Sequence, residues 1–188
     1  MTGLNKAEWT HPGGKLIELG AETLTQGELF EVLIGSGYKG RTARDITKEL
    51  LDNFIGIYGI WNKTLSDLAR IKGLKNAKIK RIAAPYEIGK RIIKESKWKL
   101  PALRKVILGL PDQSDKDLLA ILIGSGYKDK LPVDLAGELL MKYQSLSGIM
   151  GKKLSDMAKI EGLGDVKVVR IAAAYEIVRR MVKLLEAE

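Results

Sequence analysis

Two glycines separated by one leucine lie between two amphipathic segments near the carboxyl end of the chain. Residues 154–160 and the segment that begins at Asp165 both show the apolar spacing of helices, and Gly162, Leu163 and Gly164 join them. Glycine permits a positive φ and leaves no side chain between the backbone and a ligand. The free N–H groups at the start of the second helix would then attract an anion such as a phosphate, helped by the helix dipole.

Basic side chains follow this turn at a spacing that suits the same ligand. Lys167 and Arg170 lie in the first turns of the second helix, where each could add a charge-assisted contact to a phosphate. Backbone amides and lysines read no bases, so this pattern predicts phosphate binding without base specificity. The predicted contact residues are Gly162, Leu163, Gly164, Lys167 and Arg170.

The same pattern occurs 89 residues earlier, with one change. Its predicted contact residues are Gly73, Leu74, Lys75, Lys78 and Arg81. Lys75 takes the place of Gly164, so we expect it to spoil the turn or to adopt a left-handed conformation at a cost of about 1 kcal/mol. The second turn should therefore have the better amide geometry and the first the better charge. On that ground Gly164→Lys should weaken binding more than Lys75→Gly does.

The repetition extends over most of the chain. Residues 19–95 align with residues 108–184 without a gap, and 34 of the 77 aligned pairs are identical, too many for chance. Each copy is long enough for a small domain, and residues 94–101 form the natural junction. The sequence therefore predicts two domains, residues 1–97 and 98–188, that arose by duplication.

Helical periodicity dominates each copy. In the first copy it predicts helices over about 25–34, 42–54, 64–71 and 76–94, and Gly56 and Gly59 are expected to break the second of these. No stretch alternates as a strand would. The expected fold class is all-α.

A second glycine turn recurs in both copies. It contains Gly35, Gly37 and Lys39 in the first copy and Gly124, Gly126 and Lys128 in the second. These residues are further candidate phosphate contacts, although the helix after each turn starts late. Capping of the preceding helix is the alternative role for the glycines.

Composition excludes several classes of site. The formal net charge of +9 favours an anionic partner, and nucleic acid is the commonest. The chain has no cysteine and one histidine, His11, so a thiolate or multi-histidine metal site is excluded and no metal or cofactor is expected. No apolar run resembles a signal peptide or a membrane span, so we expect a cytoplasmic protein without a membrane partner.

The order helix, Gly-hydrophobic-Gly, helix resembles the helix-hairpin-helix motif of many DNA-repair proteins. Residues 15–30, 33–37 and 65–74 are similar to the N-terminal helix-hairpin-helix region of RadC-family proteins. The likeness covers residues 15–92, and its duplicate covers 104–181. It implies two tandem helix-hairpin-helix bundles without the family's C-terminal JAB/MPN metalloprotease-like domain, whose metal site one histidine cannot build.

The expected function is a non-enzymatic, sequence-tolerant DNA-binding module for double-stranded or branched DNA, linked to repair or recombination. The alternative is a protein-interaction module, with an unidentified partner, that kept the fold but not the affinity for DNA. A helix-hairpin-helix glycosylase or lyase is disfavoured, because those enzymes need a catalytic Asp, often with a Lys, in a cleft beyond the hairpin. No catalytic residue is predicted.

Overall fold

The structure is a computed structural model that describes residues 11–187. Eleven α-helices and two 3₁₀ helices account for the regular structure of this part of the chain. The α-helices are Pro12–Leu19 (α1), Gln26–Ile34 (α2), Ala43–Phe54 (α3), Gly56–Trp61 (α4), Leu65–Ala69 (α5), Asn76–Glu95 (α6), Asp115–Ile123 (α7), Pro132–Tyr143 (α8), Leu146–Ile149 (α9), Leu154–Met157 (α10) and Asp165–Glu186 (α11). The 3₁₀ helices are Ala21–Thr23 and Pro101–Lys105.

The predicted all-α class is confirmed over residues 11–187, where the only β pairing is one isolated bridge in each half. Helices α2, α3, α5 and α6 begin 89 residues before α7, α8, α10 and α11 respectively. The expectation that Gly59 breaks a helix is wrong. Gly59 lies inside α4, where an added Cβ would collide with the carbonyl oxygen of Phe54.

Side-chain caps begin five of the eleven α-helices described, and four of these caps are capping boxes. Thr25, Thr42, Thr64 and Ser114 each accept a hydrogen bond from the backbone three residues later, and an acidic side chain there returns the bond. Such a capping box stabilises a helix start by about 1 kcal/mol. Lys153 stands where a cap would precede α10, provides no side-chain hydrogen bond, and is followed by a helix of only four residues.

The two longest helices, α6 and α11, lie side by side at the centre. Gly89 of α6 lies against Val178 and Met181 of α11. Nearer the helix starts, burial and then the charge of neighbouring Arg81 lower the pKa of Arg170 to about 10. Because these two contacts follow in the same order along both helices, α6 and α11 run in the same direction. Their amino-terminal ends therefore lie at one end of the bundle.

Each half of the chain also packs on the long helix of the other half. Helix α2 packs on α11 as well as on α6, and α7 packs on α6 as well as on α11. The buried apolar residues of both halves belong to one hydrophobic core. The boundary between residues 97 and 98 stays a prediction.

A buried carboxylate and an arginine recur where the halves meet. In the first half Glu87 accepts a hydrogen bond from Arg91 Nε at 3.1 Å, and Arg91 reaches across to the carboxylate of Asp115 at 2.6 Å. In the second half Arg180 donates to Glu176 at 2.7 Å and to the Leu24 carbonyl of the first half at 2.6 Å. We call these two groups the Arg91 clamp and the Arg180 clamp.

Candidate nucleic-acid interface

The Gly-Leu turns before α6 and α11 have nearly the same backbone. Gly73 has φ 103° and Gly162 has φ 100°, a region that residues with a Cβ rarely adopt. An added Cβ would lie 2.7 Å from Ile46 Cδ1 at Gly73 and 2.8 Å from Tyr127 Cβ at Gly162. Leu74 and Leu163 are buried in the core, so they anchor both turns.

The expected distortion at Lys75 is wrong. Lys75 has φ −113° and Gly164 has φ −72°, and both residues precede their helices in ordinary extended backbone. No heavy atom lies within 4 Å of an added Cβ at Gly164. The left-handed residue of the turn is the first glycine, which both copies share, so Lys75 fits without strain.

The starts of α6 and α11 lack the caps that begin most of the other helices. Neither Lys75 nor Gly164 makes a side-chain capping hydrogen bond within the described chain. The first residues of both helices, Asn76 and Asp165, are exposed. The third N–H of each helix, at Lys78 and Lys167, already donates to the carbonyl of the residue before the helix. The first two N–H groups of each helix have no partner within that helix, so they remain available to an external acceptor, and both sets lie at the same end of the bundle.

The Gly-Ser-Gly turns pack beside the Gly-Leu turns. Gly35 and Gly124 have φ 75° and 78° and end α2 and α7. A Cβ at Gly37 would collide with the carbonyl oxygen of Arg41, and one at Gly126 with that of Lys130. These four glycines therefore cap helices and close tight loops, which is the alternative role considered for them.

Two predicted phosphate ligands hold these turns together. Lys78 donates to the carbonyl oxygens of Ser36 and Gly37, the latter at 3.1 Å. Lys167 donates to the carbonyl oxygens of Gly126 at 3.0 Å and Gly162 at 2.7 Å. Burial, with a nearby arginine in each case, lowers the pKa of both lysines. Their ammonium groups are engaged by the protein itself.

The two predicted arginines also bind carbonyl groups of the protein. Arg81 donates to the Leu33 carbonyl at 3.4 Å, and Arg170 donates to the carbonyls of Leu122 and Ile123 at 2.8 and 3.0 Å. These carbonyls lie at the ends of α2 and α7, where a cation is favourable for the helix dipole. Arg81 and Arg170 therefore add positive charge between the turns while serving as helix caps.

The remaining predicted lysines are exposed. Lys39 and Lys75 lie over the ring of Tyr38, with Nζ 5.6 and 5.0 Å from its centre. Lys128 forms an ion pair with Glu161 at 2.7 Å. Lys72, one of the basic residues that make the first hairpin more basic than the second, is also exposed, and its carbonyl accepts a hydrogen bond from Arg41 at 2.7 Å.

Two segments of the chain match the family model described as UPF0758 N-terminal, residues 5–80 and residues 87–169. The chain belongs to this family. The match to two successive regions agrees with the recurrence of the helices, and it supports the resemblance to the N-terminal region of RadC-family proteins.

UPF0758 proteins of several bacteria are similar to parts of the chain. One from Clostridium botulinum is 36% identical over 80 residues, covering 43% of this chain and 35% of that protein. One from Clostridium beijerinckii is 31% identical over 113 residues, covering 60% of this chain and 46% of that protein. One from Streptococcus agalactiae is 30% identical over 123 residues, covering 62% and 54%. The chain thus spans about a third to a half of the length of these relatives, and no solved structure matches it.

The described residues contain neither a membrane-spanning helix nor a cluster of metal ligands. No helix between residues 11 and 187 is both long and apolar enough to cross a bilayer. In the same range no group of three or more His, Cys, Asp or Glu side chains is placed to hold a metal ion.

Proposed function

We propose that this chain is a tandem duplication of the UPF0758 N-terminal unit that binds DNA without catalysing a reaction on it. Its ligand would be the phosphate backbone of double-stranded or branched DNA, and its context DNA repair or recombination. One observation carries the proposal: two long helices begin, without side-chain caps, at the same end of the bundle, and exposed lysines lie beside the first of them.

The structure changes the roles within the predicted contact set. Backbone amides at the start of α6 would bind phosphate, with Lys39 and Lys75 adding charge, and those at the start of α11 would bind it more weakly because Asp165 lies there. Lys78 and Lys167 would act indirectly, because they hold the turns that position those amides. Contacts of this kind are to phosphates rather than base edges, so binding should tolerate any sequence.

Fluorescence anisotropy with two unrelated duplexes tests the proposal. The two duplexes should bind with equal affinity. If about four phosphates are contacted, log K against log salt concentration should have a slope of about −3.6. Lys75→Glu should weaken binding and make the slope shallower. The control is Lys183→Glu, which makes the same charge change in the last turn of α11, at the other end of the bundle.

Equal loss in the two variants would mean that net charge, not this site, attracts DNA. No binding at about 50 mM salt would instead support the alternative function, a protein-interaction module. The second hairpin favours that alternative. There Val166, an apolar residue that is 70% exposed, follows the acidic residues Glu161 and Asp165 in the sequence.

A further inference from the structure

The two hairpins lie at one end of the bundle but differ in charge: residues 72–81 carry five basic and no acidic side chains, and residues 161–170 carry two of each. Lys72, Lys75 and Asn76 of the first hairpin correspond to Glu161, Gly164 and Asp165 of the second. At these three positions the first hairpin has two positive charges and the second has two negative charges. The fold places both helix starts alike, so this difference in charge is the main difference between them.

In the first hairpin the cations are available to a ligand. Lys39, Lys72 and Lys75 are exposed, and none of them forms an ion pair with a carboxylate within residues 11–187. Lys39 and Lys75 instead lie over the face of Tyr38, a weak interaction that a phosphate can displace. Tyr38 is half-buried against the core, so a move of the two lysines toward a phosphate would uncover only the outer face of its ring, on which a base can stack.

In the second hairpin a carboxylate neutralises the cation that corresponds to Lys39. Lys128 is paired with Glu161 at 2.7 Å, whereas the first hairpin has Lys72 in place of that glutamate. Asp165 is the first residue of α11, where its carboxylate already interacts favourably with the helix dipole. A phosphate approaching this helix start would meet Asp165 and Glu161 rather than free ammonium groups.

The two strands of a duplex are related by a twofold axis, and a pair of equivalent hairpins could hold one strand each. Here only one hairpin of the pair is basic. We propose that the module holds a single strand of DNA on the first hairpin, with Tyr38 contacting an unpaired base. The preferred ligand is then single-stranded DNA, such as the open strand of a branched molecule. This inference rests on the proposed function and specifies its ligand.

Anisotropy titrations with a labelled 20-nucleotide single strand and the matching 20-base-pair duplex test the inference at one salt concentration. The protein should bind the single strand at least as tightly as the duplex. Lys72→Glu with Lys75→Glu should weaken single-strand binding at least tenfold. The matched variant, Glu161→Lys with Asp165→Asn, should leave single-strand binding within about twofold and raise duplex affinity at least tenfold. All four side chains are exposed, and melting temperatures verify that each variant is folded.

The single-strand inference and the proposed function fail in different ways. A duplex that binds tenfold tighter than the single strand overturns only the inference. The inference alone is also overturned if Glu161→Lys with Asp165→Asn strengthens binding of the single strand and of the duplex equally. If neither probe binds the parent protein at about 50 mM salt, both the inference and the proposed function are wrong.

Discussion

Removing the arginine of the Arg180 clamp should destabilise the whole chain. Arg180 Nε donates to the buried carboxylate of Glu176 at 2.7 Å, and its Nη2 donates to the Leu24 carbonyl at 2.6 Å and the Glu22 carbonyl at 3.3 Å. The side chain is 20% exposed. Arg180→Ala therefore deletes both a carboxylate contact and the link to the segment before α2.

The magnitude follows from these contacts. A hydrogen bond to a charged group contributes about 1.5–3 kcal/mol, and breaking a buried ion pair costs about 3–5 kcal/mol. Without Arg180, Glu176 still accepts hydrogen bonds from Arg179 at 2.6 and 2.7 Å, and this reduces the loss of stability. We expect Arg180→Ala to lower the free energy of unfolding by about 3 kcal/mol. In a chain of this size the melting temperature should fall by about 6–12 °C.

Urea denaturation followed by circular dichroism measures this change, with one value of m, the slope of the free energy of unfolding against urea concentration, fitted to the parent protein and the variants. The control is Arg179→Ala. Arg179 is 42% exposed and its hydrogen bonds in the described structure go to Glu176, so its loss should cost about 1 kcal/mol. Because the two halves share one core, unfolding should be a single transition. Equal costs for the two variants, or two separate transitions in the parent protein, would refute the clamp between the halves.

Three further changes have defined outcomes. Gly162 has φ 100° and lies against Tyr127, so Gly162→Ala should lower the free energy of unfolding by about 3 kcal/mol. Gly164→Ala should lower it by no more than about 1 kcal/mol, and thermal melts of the two variants test the difference. Lys153→Thr, three residues before an aspartate, should complete a capping box and raise the free energy of unfolding by about 1 kcal/mol, measurable in urea. Burial by itself raises the pKa of Glu176, but hydrogen bonds and charges from two arginines outweigh it and hold the pKa below its usual 4.5. The ionised Glu176 therefore contributes its full stabilisation above pH 4.5, and this stabilisation is lost as the pH falls through the lower pKa that Glu176 has in the folded protein. Glu176→Gln should flatten this part of the curve of stability against pH.

Local signals in the sequence located most of the helices. The Thr25 and Thr64 capping boxes, visible as a threonine three residues before an acidic residue, mark the starts of α2 and α5. The expected break at Gly59 failed because α4 is held by tertiary contacts: Ile57, Ile60 and Trp61 are buried in the core. A six-residue helix has too few internal hydrogen bonds to be recognised from its own sequence.

The candidate site was only partly predictable. The Gly-Leu turns and the helices that follow them lie where the motif places them. The roles of Lys78 and Lys167 were not predictable, because each donates to a carbonyl group 41 residues away in the chain. Arg91 and Arg180 were also missed as clamps, although each follows a glutamate by four residues and recurs at the same offset. That recurrence was the signal that could have identified them.

The sequence by itself determined the helical class, the repeated order of helices and the positions of the two Gly-Leu turns, although not which residue of each turn is left-handed. These features depend on periodicity, capping residues and turns, all of which act within a few residues of the chain. Tertiary structure alone decided that α6 and α11 run in the same direction, that each half is clamped by an arginine of the other, and which lysines remain free. Those outcomes depend on contacts between residues that are distant in the sequence. The sequence shows that a lysine is charged, but only the fold decides whether a carbonyl or carboxylate group lies beside it and already binds its ammonium group.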